Sequence, residues 1–146
     1  MDIKTSIEIN APSNSVWQIL TDVDKYPEWN PFITKISGRL YPGEKLKVRL
    51  HPPGKRERVV KPIILNLVQE KEIVWLGHIL FPGIFDAEHH FIIESVSDST
   101  VHFYHNQHFS GIFLPLFWKM LYNHVRIGFI EMNQALKRRA EGKYQY

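Results

Sequence analysis

Eight histidines and no cysteine define the chemistry open to this chain. Without a thiol there is no thiolate nucleophile, disulfide, cysteine-bound zinc or iron–sulfur cluster, so any metal or proton-transfer chemistry runs through imidazole and carboxylate. His89, His105 and His124, with Gln107, fall where the surrounding pattern turns side chains inward. Three neutral imidazoles with an open position could hold Zn or Fe for hydrolysis. A pKa near neutrality would equally suit His89 or His105 to general acid–base work on a carbonyl substrate. The chain carries no HExxH or H-x-H spacing, no nucleophile beside a base and no paired carboxylates. No catalytic set, metal or cofactor is therefore expected, His89 and His105 being the only candidate bases. The favoured reading is histidines hydrogen-bonded in or beside a mostly apolar pocket.

These side chains are placed by a hairpin and a helix. With the turn at residues 97–99, Ile93 pairs with Phe103, Phe91 with His105, His89 with Gln107 and Ala87 with Phe109 on one face. This register keeps both apolar faces on the same side. The other face pairs Glu94 with His102 and Glu88 with His108, which suits solvent. From Pro115 to Ala140 the period becomes 3.6, with Phe117, Leu121, Val125, Met132 and Leu136 on one stripe and Lys119, Arg126, Asn133 and Lys137 opposite. His124 and Gly128 lie on the apolar stripe. A glycine inside a helix costs about 1 kcal/mol relative to alanine, so Gly128 marks either close approach of the sheet or room for a ligand. Trp75 is a further lining candidate, although Val74, Leu76 and Leu80 are as apolar as Ile73, Trp75 and Ile79 and alternation alone does not choose its face.

The remaining elements follow from period and punctuation. Ile3, Thr5, Ile7 and Ile9 alternate with polar residues as a one-faced strand. A short helix carries Val16, Trp17, Ile19 and Leu20, and a second helical turn over 24–29 stops before Pro31. Strands are expected over 32–40, 46–50, 59–68, 73–80, 85–96 and 100–109. Pro42-Gly43, Pro53-Gly54 and Pro82-Gly83 each suit the centre of a type II turn. Such short connections make neighbouring strands antiparallel. A helix of about 25 residues spans roughly 37 Å, enough to cross a small domain and cover the sheet. The fold class is α+β. A curved antiparallel sheet of seven strands wraps a long C-terminal helix, with two short helices after strand one. At 146 residues and 44% hydrophobic content, residues 1–146 read as one domain with a real core.

The segment Tyr26-Pro27-Glu28-Trp29-Asn30-Pro31-Phe32, with Ala87-Glu88-His89-His90-Phe91 and Phe109-Ser110-Gly111, resembles the START-like or Bet v 1-like (SRPBCC) superfamily with the helix-grip fold. Within it the chain is similar to small bacterial proteins of the polyketide cyclase and lipid-transport type. The resemblance covers nearly the whole chain and implies an internal apolar cavity between sheet and long helix. It implies no catalytic residue that can be carried over, and it does not name a ligand.

The expected function is binding or carriage of a hydrophobic small molecule, lipid-like or aromatic, in that cavity. Its lining would be Trp75, His89, Phe91 and Phe103 with His105 and Gln107 from the sheet. Phe113 from the segment entering the helix, and Phe117, Leu121, His124, Gly128 and Met132 from the helix, would complete it. The alternatives are a cyclase or dehydratase using a pocket histidine as base, and a protein-interaction module. Ile112 to Trp118, six large apolar side chains in seven residues, is expected to be a loop that closes one end of the cavity and touches ligand or, transiently, a membrane surface. Lys45, Lys47, Arg49, Lys55, Arg56, Arg58 and Lys61 read as a solvated face guarding a strand edge, and a formal charge of +3 gives no reason to expect nucleic acid. The start MDIKTSIEIN alternates instead of offering a basic, apolar leader, and no apolar run approaches a membrane span. A cytoplasmic protein without stable membrane insertion is expected.

Overall fold

A computed structural model describes residues 1–78 and 83–142. The element order is β1 (Asp2–Ile9), α1 (Ser13–Thr21), a 3-10 turn (Val23–Lys25), α2 (Tyr26–Trp29), β2 (Ile33–Ser37), β3 (Lys47–Leu50), β4 (Arg58–Val60), β5 (Ile63–Val68), β6 (Glu72–His78), β7 (Asp86–Ser97), β8 (Thr100–Ser110) and α3 (Leu114–Gly142). Five strands form an antiparallel sheet in the order β1-β8-β7-β6-β5, and three more form β2-β3-β4. The helix-grip arrangement is thus present, with eight strands where seven were expected. The difference lies at Pro62. The apolar run 59–68 is split there into β4 and β5, because proline donates no ladder hydrogen bond and the chain bends across from one sheet to the other. The two sheets are spliced by backbone bonds from Leu46 N–H to Pro62 O, Gly43 N–H to Ile64 O and Ile64 N–H to Glu44 O.

The β7–β8 register is the expected one: Ala87 faces Phe109, His89 faces Gln107, Phe91 faces His105 and Ile93 faces Phe103. A bulge between Ser95 and Ser97 absorbs the hairpin end. Two of the Pro-Gly turns take the required shape, Gly43 and Gly54 having φ of 88° and 70°, with Glu44 N–H to Tyr41 O and Lys55 N–H to Pro52 O both 3.0 Å. The third, with the tail of the expected 73–80 strand, falls partly in 79–82, outside the described residues. Between α2 and β2, Asn30 Oδ1 accepts from Phe32 N–H at 3.0 Å and Ile33 N–H at 2.8 Å. This local turn aims the Phe32 ring at α3.

The solid core sits under the C-terminal half of α3. Phe129, Met132, Leu136 and Ala140 are fully buried against Ile3, Phe91, Phe103 and Val101. The N-terminal half of α3 is less covered: Leu114 is buried, whereas Leu116, Phe117 and Met120 are exposed.

Candidate functional site

A cavity of about 210 Å3 opens where the sheets part from the N-terminal half of α3. Val48, Leu50, Arg58 and Val60 of β3 and β4 form one wall; Trp75, Gly77, Ala87 and His89 of β6 and β7 form another. Gln107 and Phe109 of β8, with Phe85, close the floor, and Met120, Leu121, His124 and Val125 of α3 lie across the top. Lys55 and Pro52 stand at the rim. A larger depression of about 640 Å3, bounded by Ser13, residues 69–72 and residues 92–95, is shallow and open to solvent. None of the buried polar side chains of the described residues, Asn30, His89, His105 and Asn133, lies in it.

Of the residues expected to line the hollow, Trp75, His89, Gln107, Leu121 and His124 do so. The others go elsewhere, for identifiable reasons. Phe91, Phe103 and Met132 interlock as core one layer deeper, Phe91 stacking at 6.3 Å from Phe103. His105 is fully buried behind His89 and is covered by Phe129, whose ring stacks on it at 3.9 Å and 12°. Gly128 serves close approach, but the approaching group is neither sheet nor ligand. A Cβ there would stand 2.4 Å from the Phe32 ring. Phe32 in turn meets Phe129 edge-on at 5.6 Å. Thus Phe32 and Phe129 plug the space between sheet and mid-helix and displace the open volume toward the start of α3.

The expected apolar loop 112–118 is mostly helix, since α3 begins at Leu114. Only Leu114 turns fully inward, Trp118 packs edge-on against Phe109 at 5.8 Å, and Phe113 and Phe117 are 45% and 48% exposed and do not line the cavity. The adjacent positions should therefore respond in opposite ways. Leu114→Ser should cost about 2–4 kcal/mol, whereas Phe113→Ser should leave the chemical-denaturation midpoint nearly unchanged. Equal losses at both positions would mean that the segment is packed as a unit.

The polar end of the site is a connected set. His89 Nε2 and His105 Nε2 are 2.7 Å apart, and His105 Nδ1 lies 2.9 Å from Asn133 Oδ1. Asn133 Nδ2 donates to Thr5 Oγ1 at 2.9 Å, and Thr5 Oγ1 donates to the His105 carbonyl at 2.7 Å. Trp75 backs His89 at 5.3 Å between ring centroids. Burial pushes His105 down to about 3, the Asn133 hydrogen bond opposing this only in part. Burial, then the neighbouring His105 and His90, holds His89 well below its ordinary value. Both imidazoles are therefore neutral at physiological pH. Asn133, expected on the solvent side of the helix with Lys137, is buried. The signal was its spacing from Phe129, Leu136 and Ala140, at i+4, i−3 and i−7, because the buried stripe drifts around the helix as it crosses the twisted sheet. Among the described residues, no group of three or more His, Asp or Glu side chains is arranged to hold a metal ion. No helix among the described residues is long and apolar enough to cross a membrane.

Residues 1–141 match the family described as polyketide cyclase/dehydrase and lipid transport. The chain belongs to that family. Its fold is shared with the Zhui aromatase/cyclase from Streptomyces sp. R1128, at TM-score 0.81 and 14% identity over 99% of this chain and 96% of that one. A START superfamily protein from Mycobacterium smegmatis superposes at TM-score 0.77 and 18% identity over 97% and 98% of the two chains. Norcoclaurine synthase from Thalictrum flavum, in complex with a transition-state analogue, does so at 0.75 and 14% over 99% and 96%. At these identities the likeness is one of fold. No curated protein sequence matches the chain.

Proposed function

We propose that this family member binds or carries a hydrophobic small molecule, lipid-like or aromatic, in the cavity between the sheets and the first half of α3. The observation that carries the reading is the cavity itself: about 210 Å3, far beyond the ~15 Å3 of probe-occupied volume that one water needs. It is walled mainly by apolar side chains with a few convergent polar groups, the composition that orients such ligands. The aromatase/cyclase and the synthase named above use the same fold, and their names point to cyclic organic molecules as its guests. A cyclase or dehydratase with His89 or His105 as general base is less well supported. Such a base works best with a pKa near the working pH, whereas burial holds both imidazoles low. Entry would be past Met120, which is exposed and lines the cavity. The stretch 112–130 has no acidic residue, which suits transient contact with an anionic lipid surface.

The test is a titration with the apolar dye N-phenyl-1-naphthylamine. Wild type should enhance its fluorescence at micromolar concentrations, and Ala87→Trp, which fills the cavity from its wall, should weaken binding roughly tenfold or more. Absence of enhancement by folded wild type, or equal enhancement by the filled variant, would remove the reading.

A further inference from the structure

The polar chain behind the cavity fixes the positions of its own protons. A backbone carbonyl only accepts, so the single hydroxyl proton of Thr5 is committed to the His105 carbonyl at 2.7 Å. Thr5 Oγ1 must then accept from Asn133, which places the amide NH2 toward it, at 2.9 Å. Asn133 Oδ1 is thereby turned to His105 and can only accept, so His105 carries its proton on Nδ1. The remaining His105 nitrogen, Nε2, is a lone pair, and the contact of 2.7 Å to His89 Nε2 requires the proton to sit on His89. With a neutral ring, His89 Nδ1 is left as an acceptor. It has no hydrogen-bond partner among the described residues, although His89 is only 4% exposed and lines the cavity. Nor is it sealed in, because the unpartnered side-chain atoms shut off from open space are Trp29 Nε1 and Asn30 Nδ2. Gln107, opposite His89, can turn its amide either way and does not change the sign of the site.

Building on the binding reading above, we propose that His89 Nδ1 is a fixed hydrogen-bond acceptor on the cavity wall and selects aromatic or lipid-like ligands that carry a hydroxyl donor, a phenol or an alcohol, over their ethers, ketones or carboxylates. The backbone carbonyl of His105 sets this polarity through Thr5, Asn133 and His105. An ether or ketone placed there would set lone pair against lone pair and leave a desolvated acceptor unmet, an arrangement that sites built for a hydroxyl reject strongly.

The experiment is displacement of N-phenyl-1-naphthylamine by 1-naphthol and by 1-methoxynaphthalene, together with 15N NMR of the histidine rings in unliganded protein. Expected are at least roughly tenfold tighter binding of 1-naphthol, loss of that preference in His89→Phe with both compounds still binding, and a His89 ring protonated on Nε2 alone. Equal displacement by the two compounds in wild type overturns the inference while the binding reading stands. Failure of both compounds and of the dye removes the binding reading itself. Should His89→Phe not fold, the wild-type NMR decides: a proton on His89 Nδ1, or on His105 Nε2, overturns the proposed polarity, and the opposite pattern with a 1-naphthol preference upholds it.

Discussion

Gly111→Ala should lower thermal stability more than any conservative exchange on the surface. Gly111 joins β8 to α3 at φ +129°, a conformation L side chains rarely adopt, and a Cβ there would stand 2.3 Å from the carbonyl oxygen of Ile84 and 2.7 Å from its carbon. Neither atom is the movable end of a side chain. Strain of about 1–3 kcal/mol from the dihedral and a similar sum from overpacking give a loss on the order of 4 kcal/mol, or roughly 10 °C in the melting temperature of a chain this size. The Ile84–Phe85 segment would be pushed away, and with it the Phe85 side chain that closes the cavity floor, so dye binding should fall in the fraction that remains folded. Calorimetry showing a shift of less than a couple of degrees would mean that the junction has slack the geometry does not suggest.

Acid should unfold the protein through its two buried histidines. Both have folded-state pKa values below the ordinary 6.5, His105 at about 3. Between those limits the unfolded chain binds protons that the folded chain does not, so stability rises with pH. The contribution is therefore complete above about pH 6.5 and is lost as pH falls toward 3. His105, held neutral down to about 3, adds a slope of about 1.4 kcal/mol per pH unit, and His89 adds to it in the same direction. Across pH 6 to 4.5 the His105 share alone amounts to roughly 2 kcal/mol, a sizeable part of the ~5–15 kcal/mol typical of a folded domain. The carboxyls of Asp2 and Asp86 are held low by hydrogen bonds to His108 and His78. Their contribution is lost only below the usual carboxylate value of 3.8, outside that window. Urea denaturation at stepped pH should show the slope in wild type and a shallower one in His89→Phe; a flat profile from pH 7 to 5 would contradict the neutral pair.

How far the sequence disclosed this arrangement can be followed residue by residue. The β7–β8 register was legible because the turn at 97–99 fixes the pairing that keeps both apolar faces on one side, and a one-residue slip would have sent Phe91 and Phe103 into water. Phe109-Ser110-Gly111 was legible as a motif before its cause was visible, namely the backbone of Ile84 pressed against Gly111. Pro62 could have been read as a break inside 59–68 but was outweighed by the apolar run around it. The site was legible only in part. His89, Gln107, Leu121 and His124 were found from periodicity, while Trp75 was a candidate whose face alternation could not choose, and the placement of the open volume depended on which rings fill the middle. Phe32 reaches there from a segment distant in sequence, guided by an Asn30 turn that no periodicity announces. Asn133 was missed because a lone amide in a helix rich in Lys and Arg looks solvated until its neighbours at four and three residues are known to be core.

The splice at Pro62 has a consequence for the girth of any guest. The β3–β4 wall and the β6–β7 wall stand on either side of the hollow, and among the described residues the backbone bonds that stitch one sheet to the other are those at Gly43, Leu46 and Ile64. The width of the hollow is therefore set along one edge, by the backbone bonds at residues 43–46 and 62–64, as well as by the bulk of the side chains within.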